Sequence, residues 1–212
     1  MQNISPKAKR RYESIIAAAT DEFITNGYSK TNLTNIIKRS GGSLSTIYEL
    51  FGDKQGLFKA VLWYMVDRFK RDLEEHIQVE AHNSLEELLK CFARQYLKII
   101  FDEKIIKFRK LIIAEKMNEQ SELDSSCLMM SSNVVLELLA QIFGHDKLRG
   151  YFGEADLKLL AFRFCMLLEE PHIHIASLTG VAPRFTNEEL EAWISECVGF
   201  FMRAAVKESK EA

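Results

Sequence analysis

Leu44, Ser45, Thr46, Tyr48 and Glu49 are the residues of this chain whose types and spacing best suit contact with a nucleic acid. Their direction follows from their neighbours. Ile47 and Phe51 stand four apart and claim the inward face of a helix, which leaves the others outward or sideways. Ser45 and Thr46 are small hydroxyl residues near the helix N-terminus, where a short side chain permits close approach to base edges. Leu44 has two readings: it packs on a thymine methyl, or it rests on the first helix as a staple. Glu49 is a poor phosphate neighbour and suits rejection of wrong sites or pairing with a local Lys or Arg.

A second group, Glu169-Glu170-Pro171-His172-Ile173-His174, holds carboxylate and imidazole types that bind metals. Residues two apart face different sides of a helix, so His172 and His174 act together only if Pro171 opens an extended stretch. The plainer reading is a kinked helix end with polar residues near solvent or at a subunit seam, and no metal or cofactor is assigned. The cysteines at 91, 127, 165 and 197 form no C-x-x-C pair and sit within apolar helical patterns, as buried free thiols do in a reducing compartment. There is no G-x-S-x-G, P-loop or H-E-x-x-H, so the chain is not read as an enzyme.

The elements that must position the first group are legible from caps and glycines. Asn32 N-caps a short helix whose apolar residues are Leu33, Ile36 and Ile37. Gly41 and Gly42 stop it, and Ser43 caps the next, which Gly52 ends. Asp53 caps a third. Two short helices joined by a tight glycine turn make a helix-turn-helix, the unit that sets one exposed helix in the DNA major groove.

In this run the chain resembles the TetR family of bacterial transcriptional regulators. The match is carried by Gly27, Tyr28, Thr31, Ile36, Gly41, Ser43, Ile47, Tyr48, Phe51, Lys54, Leu57 and Phe58, in register and without gaps. Ile15, Ala18, Ala19 and Phe23 match the family's first helix. The departures are Asn32 for Thr, Ile37 and Ser40 for Ala, Gly42 for Val, and Leu50 for an aromatic or His. Gly42 loosens the turn, and Leu50 removes a possible phosphate contact. Tyr48 and Lys54 match family residues that hold phosphates. Thr31 and the basic lead Lys7, Lys9, Arg10 and Arg11 can do likewise, the lead being otherwise a solvated tail. A second stretch, FRKLIIAEK with the following EQSEL, resembles one subgroup of the family but lacks its proline.

Charge agrees with this polarity. The net charge of the 212 residues is −2, yet residues 1–59 hold nine Lys/Arg against five Asp/Glu, and the remainder is acidic. One end therefore suits phosphates and the other does not. With 47% hydrophobic residues, three prolines and 3.6-period stripes from end to end, the chain reads as all-α, with about nine helices. We expect a helix-turn-helix domain over 1–53 and a helical effector-binding and dimerisation domain over 54–212. No apolar run approaches the ~20 residues that span a bilayer, and no leader is evident, so a soluble cytoplasmic protein without membrane contact is expected.

The resemblance implies a homodimer on a palindromic double-stranded operator, acting as a repressor released by a small-molecule effector. From the apolar stripes, the seam is expected at Leu160, Phe164, Leu167, Trp193, Ile194, Cys197, Val198 and Phe201, on the last two long helices. The effector, apolar or cationic, is expected among Phe92, Tyr96, Met130, Val134, Phe162, Met166 and Glu169, although such stripes also describe plain core. Glu169 or Glu170 is the partner for a cation. The other reading is a DNA-bound adaptor that answers to a protein partner without a small ligand; a solid core in the C-terminal domain would favour it.

Overall fold

Side-chain caps fix where the helices of this chain begin. The computed structural model describes the backbone of residues 5–118 and 126–206, and the side chains of those residues apart from 126–133. All regular structure among them is helical, in eleven α-helices and one 3-10 turn over Val79–Ala81. They are α1 (Pro6–Lys30), α2 (Leu33–Ser40), α3 (Leu44–Phe51), α4 (Lys54–His76), α5 (Leu85–Ile100) and α6 (Glu103–Met117). Then come α7 (Ser126–Phe143), α8 (Asp146–Phe152), α9 (Leu157–Glu169), α10 (His172–Thr179) and α11 (Asn187–Ala205). Asn32 Oδ1 accepts from the Thr34 amide at 2.8 Å, and Asp53 Oδ1 accepts from the Gly56 amide at 2.6 Å. Thr186 and Glu189 close a full capping box at the start of α11. Gly27 interrupts α1 with a non-helical backbone, so its regular part ends at Asn26.

Two helices exceed the nine expected. The glycine-punctuated stretch from Gly144 to Gly153 holds α8, capped by His145. Leu148 and Phe152 are both buried and stand four apart, and this pair outweighs Gly150 between them. The stretch after Pro171 is α10, on which His172 and His174 both lie. The extended backbone that a joint metal site needs is therefore not formed there.

The chain divides into two compact units. The first comprises Met1–Asp67 and Lys107–Ser131; the second comprises Arg68–Ile106 and Ser132–Ala212. The unit boundaries fall inside α4, α6 and α7. In the first unit, Ile15, Ala19, Phe23, Ile36, Ile47, Leu57 and Phe58 form a core completed by Phe108 and Leu111 of α6. Phe58 is its centre, with ring centroids 5.0 Å from Phe23, 5.4 Å from Tyr28 and 5.4 Å from Phe108. Each such ring contributes about 1.5–3 kcal/mol by leaving water. In the second unit, Phe92, Phe143, Phe152, Phe164, Val198 and Phe201 lead a core drawn from α5 and α7 to α11.

Candidate nucleic-acid interface

The geometry of the helix-turn-helix starts with how α1 holds α2. Glu22 is buried and its Oε1 accepts from Asn35 Nδ2 at 3.0 Å. Arg39 reaches back to Asp21 Oδ2 at 2.8 Å. Ile36 of α2 and Ile47 of α3 are fully buried and pin the two short helices to the α1 core. Tyr12 meets Phe51 at 5.4 Å between centroids.

This packing leaves one face of α3 in solvent. Leu44 and Tyr48 are 40% and 54% exposed, Ser45 is exposed, and Thr46 is half-buried. The three hydroxyls at the start of α3 form one cluster. Ser43 Oγ lies 2.6 Å from Ser45 Oγ and 3.1 Å from Thr46 Oγ1, while accepting the Thr46 amide at 3.3 Å. Ser43 is therefore both the cap of α3 and the residue that orients the two hydroxyls. Its capping role is readable from the sequence; its second role is not, because hydroxyl rotors leave no spacing signature. Leu44 exposes too much surface to be buried as a staple, so the reading with an open apolar contact fits the geometry better.

Lys54 opens α4 from a half-buried position. Its Nζ donates to the Ser29 carbonyl at 3.2 Å and sits 4.7 Å from the Tyr28 ring centroid. An ammonium has three N–H groups, so donors remain for a phosphate. Thr31 is different. It is buried, and its hydroxyl donates to the Gly27 carbonyl at 2.6 Å. In this position the residue ties the Gly27 break to the start of α2.

Gly42 has a neighbour that the sequence does not reveal. Arg11 of α1 lies against Gly41 and Gly42, and a Cβ on Gly42 would stand 2.6 Å from Arg11 Nη1. One residue of the basic lead is thus packed on the turn rather than free in solvent.

In the second unit, the expected effector residues fall into two sets. Phe92 and Tyr96 stack at 5.4 Å, and the Tyr96 hydroxyl donates to Glu169 Oε1, with both residues buried. Burial, followed by Cys165 and Glu169, holds the Tyr96 phenol well above its ordinary range. Burial likewise pushes the Cys165 thiol up to about 12 and the Cys197 thiol up to about 11. Phe162 and Met166 do not join this interior. They line a groove of about 600 Å³ along α9 and α11, with Trp193, Cys197 and Phe200. The helical period explains the split: 162 and 166 share one face of α9, and 165 and 169 share another. Val134 is half-buried, and the Met130 and Cys127 side chains lie outside those described.

The expected seam residues divide as well. Leu160, Phe164, Ile194, Cys197, Val198 and Phe201 are already buried within the chain's own core, so most of their surface is unavailable to a second copy. Leu167 and Trp193 are half-buried, and the large exposed hydrophobics of these helices are Leu159, Phe162 and Phe200. His172 packs edge-on against Phe185 and Trp193 at 4.8 and 4.9 Å, while His174 is exposed. Among the described residues no helix is long and apolar enough to cross a membrane.

Comparison with known proteins agrees with this arrangement. Residues 15–61 match the model of the bacterial regulatory proteins of the tetR family, and residues 87–204 match the C-terminal domain of AefR-like transcriptional repressors. The HTH-type transcriptional repressor ComR of Escherichia coli (strain K12) is 34% identical over 71 residues, which span 34% of this chain and 34% of ComR. The chain thus aligns with about a third of that relative. A TetR-family transcriptional regulator structure from Mesorhizobium loti superposes with a TM-score of 0.77 at 25% identity, covering 94% of this chain and 98% of the other. The structure of the flavonoid-responsive regulator FrrA gives 0.73 at 25% identity, covering 95% of this chain and 100% of FrrA. An N-terminal helix-turn-helix with an exposed second helix, followed by a helical domain matched over most of its length, makes this chain a member of the TetR family of DNA-binding transcriptional regulators, which are not enzymes.

Proposed function

We propose that the protein is a repressor that binds a palindromic operator as a homodimer and leaves it when a small apolar or cationic effector binds the second unit. The observation that carries this reading is the exposed Ser43-Ser45-Thr46 hydroxyl cluster, with Leu44 and Tyr48, on an α3 held to α1 by Ile36 and Ile47. Such a face offers short donors and acceptors to base edges and one apolar contact to a thymine methyl. Two heads on a two-fold axis require matching half-sites.

The buried Tyr96–Glu169 pair supports the effector part. A phenol and a carboxyl group inside an otherwise apolar unit give a ligand a polar anchor, and a carboxylate there favours a cation or a hydrogen-bond donor. The helix α4 supports the coupling, since only two residues separate it from α3 and its residues are divided between the two units. An effector acts only through its preference for the DNA-free state, and a ~100-fold preference corresponds to about 2.7 kcal/mol. The exposed groove between α9 and α11 supports pairing with a second copy on that face.

Selection from a random duplex library, followed by release titration with a panel of apolar and cationic compounds, tests the proposal. Enrichment of a palindrome and its release by a compound are expected. Failure to enrich any sequence sinks it.

A further inference from the structure

The groove along α9 and α11 carries a charge pattern that is complementary to itself in only one orientation. α9 and α11 run antiparallel: Phe164 meets Phe201 at 4.8 Å, while the Trp193 indole donates to the Leu168 carbonyl at 3.0 Å. Cys197 Sγ donates to the Leu167 carbonyl at 3.2 Å. Arg163 and Arg203 therefore stand level with each other at one end of the groove, beside Phe164 and Phe201. Glu170 and Glu196 stand toward the other end, Glu196 beside Cys197 and Glu170 just past Leu168. All four line the groove and are exposed. None forms an ion pair with another described residue.

On α11 the two charges are seven residues apart, about 10 Å along the axis and on one face; Arg163 and Glu170 are also seven apart, with Glu170 as the C-cap residue that ends α9. The order is positive then negative along α9, and negative then positive along α11. Met166 and Phe200 lie midway between the ends.

A face that pairs with its own copy does so about a two-fold axis lying in the plane of contact. If that axis ran along the helices, arginine would face arginine and glutamate would face glutamate. If it runs across the groove, at the level of Met166 and Phe200, each arginine end meets the glutamate end of the second copy. We infer that two copies pair about an axis across the groove, and that Arg163, Arg203, Glu170 and Glu196 select this register and select a second copy of this chain over a related subunit. The inference rests on the proposed dimerisation through α9 and α11. The apolar middle, Phe162, Met166 and Phe200, contributes buried surface, and the charged ends contribute orientation and partner choice.

The test uses the full chain in sedimentation and native mass measurements. Wild-type protein at micromolar concentration is expected to be dimeric and to dissociate more readily as sodium chloride rises from 0.05 to about 1 M, because screening weakens attractive ends. R163E/R203E and E170K/E196K are each expected to self-associate at least ~10-fold more weakly, since like charges then face each other. Mixed in equal amounts, the two variants are expected to form the heterodimer with close to wild-type strength. A wild-type monomer overturns the dimer reading itself. A dimer that tightens with salt, or variants that self-associate as well as wild type and show no preference for each other, overturns the register while leaving the dimer standing. The salt titration needs no variant, so a variant that fails to fold does not remove the test.

Discussion

Arg11 and Gly42 compete for the same space. A Cβ on Gly42 would lie 2.6 Å from Arg11 Nη1, and Gly42 holds a φ of +100°. That nitrogen is buried without a hydrogen-bond partner in the structure. The helix-turn-helix of this protein is therefore built with an arginine where a larger turn residue would otherwise fill the gap.

Gly42→Val is expected to destabilise the protein by about 2–4 kcal/mol, from backbone strain at positive φ plus the collision with Arg11. In an Arg11→Ala background the steric part disappears and the cost falls to about 1–2 kcal/mol. Urea denaturation of the four proteins in this cycle measures the difference. Equal costs in both backgrounds would show that Arg11 does not occupy the site in solution.

Gly56 matters for contact rather than for φ. A Cβ there would stand 1.8 Å from the Phe51 carbonyl oxygen, which is backbone and cannot swing aside. Gly56→Ala is expected to cost more than about 2 kcal/mol and to lower operator affinity, because α3 or the start of α4 must shift. An unchanged denaturation midpoint together with unchanged binding would exclude this.

On DNA, three substitutions separate three roles. Lys54→Ala should reduce the slope of log affinity against log salt by about one unit on every sequence. Ser43→Ala should cost about 1 kcal/mol of stability as a lost cap and should also broaden base preference, because Ser45 and Thr46 lose their common partner. Thr31→Ala should leave the salt slope alone and cost about 1 kcal/mol of stability. A lowered salt slope for Thr31→Ala would restore it to the phosphate-binding set.

Thiol chemistry should be suppressed in the folded protein. Burial raises Cys165 to about 12 and Cys197 to about 11, against the ordinary 9.0. The unfolded chain loses these protons first, so above pH ~9 it binds fewer protons than the native state and stability falls as pH rises. Below pH ~9 both states keep the protons and these groups add no pH dependence. At pH 8, iodoacetamide should label Cys165 and Cys197 only after denaturation. Rapid labelling of either in native protein contradicts the burial.

The pair formed by Tyr96 and Glu169 should behave as a unit. Tyr96→Phe leaves the carboxyl group buried without that donor and is expected to cost about 1–3 kcal/mol. Tyr96→Phe with Glu169→Leu should cost less than the sum of the two changes, as read from thermal melts in a double-mutant cycle. Additive costs would mean that the two side chains do not interact in solution.

Much of the first unit was legible in the sequence because its signals are local. The caps Asn32, Ser43 and Asp53 and the breaks at Gly27, Gly41 and Gly52 each act within four residues, and a reader of sequence sees them directly. The type of Thr31 suits phosphate as well as an internal hydrogen bond, so its burial and its bond to Gly27 were not legible in the sequence. The surroundings of Gly42 were hidden because its neighbour in space, Arg11, is thirty-one residues away in sequence. The second unit was harder. Its helices are apolar on more than one side, so composition alone did not say which face of α9 turns inward. Phe164 faces the core and Phe162 the groove. The helices α8 and α10 were hidden by the glycines and proline at their borders.

Phe108 and Leu111 lie in the core of the first unit, and the hydrophobic seat of Phe58 is completed by them. The DNA-reading part of this protein is therefore not a cassette. A chimera spliced at Asp53 would leave Ile15, Phe23 and Ile36 without Leu57, Phe58, Phe108 and Leu111, four of the side chains that shelter them from water. Changing the operator specificity of such a regulator by exchanging whole heads asks the recipient to supply a matching α6. Exchanging only the outward residues of α3 leaves the donor's core undisturbed, so new specificities are more readily reached by altering that surface than by shuffling modules.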